Sequence, residues 1–181
     1  MSDETVIRYC APTLASLKTG SLFACQRETE QELHAGIRDL NRRLCGKGLC
    51  VLPMQRRDTS RLVYVCRPEH LARDLSDPRA QAILGGCGYP CGQTNACLRV
   101  LRERMRTQAE FPHEIGLFLG YPPEDVEGFM TRQRAKLVGC WKVYGDVERA
   151  QRLFDRYARC TGIYLRQYAR GSSIERLTVR S

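Results

Sequence analysis

The chain has 181 residues, 43% of them hydrophobic and 27% charged, and its 29 Lys plus Arg against 20 Asp plus Glu give a formal charge of +9. That composition excludes a disordered, collagen-like or membrane-spanning protein. At this length one domain can bury roughly 70% of its unfolded surface; no linker is visible, so a single domain over residues 1–181 is expected.

The first residues, Met1 to Glu4, are acidic, and the Val6–Leu17 stretch is interrupted by Arg8, Pro12 and Ser16, which is not the pattern of a signal peptide. Uninterrupted apolar segments such as Leu117–Leu119 are far shorter than the roughly 20 residues a bilayer requires. A soluble, cytoplasmic protein is expected, with its ten cysteines reduced. Cys25, Cys50 and Cys66 lie in apolar segments and read as small buried hydrophobes.

In chain order, Ser21–Gln26 is a short apolar run without helical period, read as a strand. Thr29-Glu30-Gln31-Glu32 is a capping box, after which Leu33, Ile37, Leu40 and Leu44 mark an amphipathic helix ending before Gly46 and Gly48. Cys50–Arg56 and Arg61–Cys66 are β-rich and separated by Arg57-Asp58-Thr59-Ser60, a hairpin. Pro53 cannot donate to a ladder, which puts its strand at an edge or on a bulge.

A helical insert follows at about 68–136. Ser76-Asp77-Pro78 starts one helix and Gly85-Gly86 ends it. Asn95 caps the next, with Cys97, Leu101 and Met105 on one face and Arg99, Arg102 and Arg106 on another. Phe111-Pro112-His113 opens a short helix closing at Gly120, and Pro122-Pro123-Glu124 opens another toward Phe129. Val138–Tyr144 is aromatic and β-branched. Asp146 caps a helix whose Val147, Ala150, Leu153, Phe154 and Tyr157 form an apolar stripe, and Gly162 is predicted to stop it. Ile163–Tyr168 then alternates like a half-buried strand, and the polar tail Ser172–Ser181 has room for one more. The predicted class is α+β, a small mixed or antiparallel sheet in split βαβ-like order with a helical insertion; a three-layer α/β sheet is the alternative.

The segments FPHEIGLFLGYPPEDVEGF (111–129) and GCWKVYGDVERAQRLFDRYARC (139–160) resemble the bacterial family called domain of unknown function 3793. The likeness extends over nearly the whole chain, including Pro12–Phe23 and Tyr164–Val179. It implies a stand-alone cytosolic protein, of a family many of whose members come from anaerobic bacteria, and carries no established activity. Cys140 stands where the family pattern has a tyrosine before the tryptophan. The Cys87–Cys97 cluster is outside the family signature, so the resemblance implies no metal site there.

Four constellations carry candidate chemistry. His113 and Glu114 suggest a general acid and base. Adjacent helical residues diverge, however, and with Pro112 at the first helical position both would sit in the first turn, where a carboxylate merely complements the dipole. The Phe118–Pro123 corner, with Tyr121, and the turn bearing Trp141, Lys142, Tyr144 and Asp146 suggest a ligand or partner surface, because an indole N–H or phenol needs a polar partner. Cys87, Cys91 and Cys97 could hold Zn or an iron–sulfur cluster, but at spacings unlike a zinc ribbon; no cofactor is predicted. Arg149, Arg152, Arg156 and Arg159 form a guanidinium stripe, which with Tyr164, Arg166 and Tyr168 would suit single-stranded RNA; the plainer reading is a solvated face. No phosphate loop or nucleophile elbow is present. The features favour a non-enzymatic binding or accessory module for a small ligand or protein partner, over an enzyme or thiol-redox protein using His113, Glu114 or cysteines, and over a nucleic-acid binder.

Overall fold

A computed structural model describes residues 1–25, 29–55 and 61–180. The predicted turn at Arg57–Ser60, and the ends of the predicted strands at Gln26 and Arg56, lie outside the described residues.

Three strands, β1 (Gly20–Ala24), β2 (Cys50–Gln55) and β3 (Arg61–Cys66), form a sheet of order β1-β3-β2 in which both neighbouring pairs are antiparallel. β1 and β2 therefore run parallel with β3 between them, and the connecting helix α2 (Glu30–Leu44) completes a split βαβ unit. The capping box at Thr29 and Glu32 forms in full, and Gly48 ends the following 3-10 turn at φ 78°. Pro53 lies in an edge strand, opposite Val63.

β3 is buried on both sides, so it reads as an unbroken apolar run rather than an alternation. Val63 and Val65 face α1 (Asp3–Leu14) and α2, packing with Ile7, Leu14, Ile37 and Leu40. Leu62, Tyr64 and Cys66 face the insert, where they meet Leu71, Leu84, Leu101 and Phe118. The insert comprises α3 (Pro68–Leu75), α4 (Pro78–Gly86), α5 (Thr94–Thr107), α6 (Ile115–Phe118) and α7 (Pro123–Met130). There are thus three layers, as the alternative class has, but the strand pairs are antiparallel and the fold is α+β.

Two expectations for the last third are corrected. Gly162 does not stop the helix after Asp146: α8 runs Val147–Ala169, and the predicted strand at Ile163–Tyr168 is its second half. Ala150, Phe154, Tyr157 and Cys160 are buried, and Tyr164, Leu165 and Tyr168 extend the same 3–4 spacing against the α1–α2 layer. Packing along α1 outweighs the roughly 1 kcal/mol that an interior glycine costs a helix. The tail is a short helix, α9 (Ile174–Leu177), capped by Ser173, rather than a strand, because Ile174 must turn inward to be fully buried. Helix α1 was not anticipated. Pro12 lies in its last turn, where it removes one intrahelical hydrogen bond, and its carbonyl accepts from the Leu17 and Lys18 amides.

Arg43 joins α1, α2 and α9 by pairing with Asp3 (2.5 Å), Asp39 (3.0 Å) and Glu175. Hydrogen bonds from Arg43 first, then Ser173, hold the Glu175 carboxyl down at about 2. Because the folded value lies below the unfolded one, this stabilisation is complete above the ordinary carboxylate range and is lost as pH falls toward 2. Glu175→Gln is expected to melt about 2 °C below the parent at pH 6. The gap should narrow as pH falls from about 4 toward 2; one that is constant with pH would exclude the ion pair as its source.

Candidate functional site

The corner in the insert is built by its backbone. α6 ends at Gly120, whose φ of 76° suits glycine, and a Cβ there would also fall 2.8 Å from the Thr19 side chain. Pro122 and Pro123 then pre-set the first turn of α7. Where α6 crosses α7, a Cβ on Gly116 would come within 2.7 Å of Val126.

His113 and Glu114 precede the helix rather than occupying its first turn, since α6 begins at Ile115 and Pro112 only supplies a carbonyl to the Ile115 amide. They also diverge. Glu114 is buried and accepts from the Tyr89 hydroxyl (2.8 Å) and Arg104 Nη1 (3.1 Å). Burial first, and Glu114 second, push the Tyr89 phenol above its ordinary range, so it stays a donor. His113 is exposed, its ring edge-on to Phe129 at 4.8 Å. The acid–base pair is not assembled.

The tryptophan turn is a hairpin of two short strands, β4 (Leu137–Val138) and β5 (Lys142–Val143), with Cys140 and Trp141 between them. One side chain locks it to α7. Asp125, 3% exposed, accepts from Trp141 Nε1 (2.7 Å), the Tyr144 amide (2.7 Å) and the Gly145 amide (2.8 Å). Trp141 stacks on Tyr121 at 4.7 Å and meets the Phe154 edge at 4.6 Å. Glycines admit these contacts: a Cβ on Gly128 would lie 2.5 Å from Tyr144, and one on Gly139 would lie 2.3 Å from Phe154.

Corner and hairpin together enclose a recess of about 400 Å³. Phe111, Ile115, Leu119, Val126 and Phe129 line it with Tyr121 and Trp141, while His113, Cys140 and Lys142 supply polar groups. The Lys142 ammonium lies 5.2 Å over the Phe129 ring. Tyr121, Trp141, Lys142 and His113 are thus brought together. Tyr144 is buried behind the recess, and Asp146 is the cap of α8, accepting from the Arg149 amide (2.9 Å). Asp125 was missed in the sequence, where an acidic residue in the first turn of a helix reads as a dipole partner; its signal was the indole N–H in need of an acceptor.

A family model described as protein of unknown function (DUF3793) matches residues 6–178. The chain belongs to that family. No curated protein and no solved structure matches it. The recess of this DUF3793 protein draws on both segments, 111–129 and 139–160, that carry the resemblance.

The remaining candidates lie elsewhere. Arg149, Arg152, Arg156, Arg159 and Arg166 are exposed on α8, whereas Tyr164 and Tyr168, on the same helix rather than a following strand, are half-buried against the α1–α2 core, apart from the exposed arginines. Among the described residues, no three of His, Cys, Asp and Glu are grouped to hold a metal ion. The Cys97 thiol donates to the Pro90 carbonyl (3.2 Å) and Cys91 to that of Gln81 (3.5 Å); Cys87 is half-buried. No described helix is long and apolar enough to cross a membrane. A second hollow, of about 570 Å³ between α2 and α5, has a mixed-charge wall in which Arg106 pairs with Glu103 (2.7 Å). Ser16 Oγ approaches His70 Nε2 (3.3 Å), but Asp74, one turn further along α3, accepts instead from Thr19 and Arg73.

The thiols make a direct check. Brief alkylation at neutral pH should modify the exposed Cys45 and Cys91 and half-buried Cys50, whose pKa a hydrogen bond from Cys66 lowers, before the exposed Cys140, whose pKa burial raises. Burial pushes Cys10 up to about 12, and it should be protected with Cys25, Cys66, Cys97 and Cys160 until the chain unfolds. Peptide mapping that finds Cys10 or Cys66 modified in the native protein would contradict this packing.

Proposed function

We propose that this protein is a non-enzymatic binding module whose recess takes the flat, apolar part of a small ligand. The supporting observation is the aromatic lining of a preformed, partly open hollow whose volume and few polar groups suit a ring system. A catalytic reading has less support, because His113 stands in the recess without Glu114 as partner.

Trp141 is the one tryptophan of the chain and lines the recess, so its emission reports occupancy directly. The neutral dye N-phenyl-1-naphthylamine is expected to bind one molecule per chain and to quench Trp141 by energy transfer. Cys140→Phe, which enlarges an exposed side chain on the recess wall, should weaken the dye about fivefold or more. Non-saturable quenching, or full affinity in Cys140→Phe, would sink the reading.

A further inference from the structure

Lys18 lies outside segments 111–129 and 139–160, yet its ammonium is 5.4 Å over the ring of Tyr121, the residue stacked on Trp141. It is held there because the turn after α1 is tied back, with the Leu17 and Lys18 amides donating to the Pro12 carbonyl and the Tyr157 hydroxyl donating to that of Leu17. Among the described residues no carboxylate pairs with this ammonium, whereas Arg43, Arg79 and Arg104 each meet one.

The surroundings of Lys18 are polarisable but uncharged. Its electrostatic neighbours are the Cys10 and Cys140 thiols, both raised by burial and therefore protonated at neutral pH. The Tyr121 and Tyr157 phenols are pushed up to about 12 in the same way. Lys18 is half-buried, and that burial lowers its pKa, as expected of a cation partly removed from water without a counter-charge. The aromatic face offsets only part of that cost. Two of its neighbours, Tyr121 and Cys140, line the recess.

Building on the binding reading above, we propose that the ligand is an anion: its flat apolar body fills the recess and its oxyanion, a carboxylate, sulfonate or phosphate, docks on Lys18. The incoming charge supplies the partner that the folded chain lacks, in a setting where water screens little. Lys142, by contrast, is exposed, and its attraction is screened by salt.

Two dyes that differ by one sulfonate test this. Wild type, Lys18→Met and Lys142→Met are titrated with 8-anilino-1-naphthalenesulfonate and with neutral N-phenyl-1-naphthylamine, following Trp141 quenching, and each protein is melted without dye. Lys18→Met is expected to bind the sulfonate about tenfold more weakly, to keep the neutral dye within about twofold, and to melt higher than wild type because an unpaired, half-buried charge is gone. Lys142→Met should change the sulfonate affinity less, and by an amount that shrinks as salt is raised. Unchanged sulfonate binding in Lys18→Met overturns the assignment, as does equal weakening of both dyes, which would make Lys18 structural. If wild type binds the neutral dye but gains nothing from the sulfonate, the recess stands and the anion site falls; if it binds neither, both fall.

Discussion

Arg67→Met is expected to cost about 3–5 kcal/mol of folding stability, enough to leave a domain of ordinary stability marginal. Arg67 is fully buried and cationic, and it meets only backbone carbonyls: Nε reaches Thr13 O (2.7 Å), Nη2 reaches Leu14 O (2.7 Å) and Val179 O (2.8 Å), and Nη1 reaches Lys47 O (3.4 Å). Two of these acceptors are at the C-terminal end of α1, where the helix dipole favours a cation. A single side chain thereby joins the end of β3 to α1, the turn after α2 and the C-terminal segment. Methionine fills much of the volume but leaves those acceptors unpaired in the interior. Arg67→Lys, which keeps the charge but not the planar fork, should lose about half as much. Urea unfolding with an unchanged slope would measure both; a loss below about 1 kcal/mol for Met would show that the carbonyls find other donors.

The second large effect is at Asp125. Asp125→Ala removes one acceptor from three donors, the Trp141 indole and the Tyr144 and Gly145 amides, and is expected to destabilise by about 3 kcal/mol. Its signature is local as well as global. Freed from α7, the hairpin should swing Trp141 toward water, shifting its emission to longer wavelength in protein that is still folded, and dye binding in the recess should fall with it. Asp125→Asn retains one acceptor oxygen and should lose less, about 1–2 kcal/mol. Wild-type emission and dye affinity in folded Asp125→Ala would mean that stacking on Tyr121 and Phe154 holds the hairpin unaided.

The parts of the fold legible in the sequence were those governed by neighbours in the chain. Thr29 and Glu32 cap α2, Asp77 and Asp146 cap α4 and α8, and Gly120 with Pro122 and Pro123 turns the corner, each through contacts a few residues apart. The misreading of Ile163–Tyr168 has the same origin. A run of alternating residues satisfies a period of two and a period of 3.6 about equally over six positions, and Gly162 tipped the local balance toward a break. Only the length of α1, lying beside it, makes the longer helix worth more than the glycine costs.

For the recess, local chemistry marked the two segments worth examining, since stiff proline corners and an indole N–H are readable one residue at a time. That the segments meet was decided in three dimensions, by a carboxylate 16 residues from the indole it binds. Lys18 was beyond reach of sequence reasoning altogether, because a lysine in a chain of charge +9 gives no sign of whether water or a tyrosine ring surrounds it. Helix starts, turns and family membership follow from the order of residues. Which charges are left without partners depends on the packing of distant elements, because a pairing between remote residues contributes nothing until the intervening chain has folded.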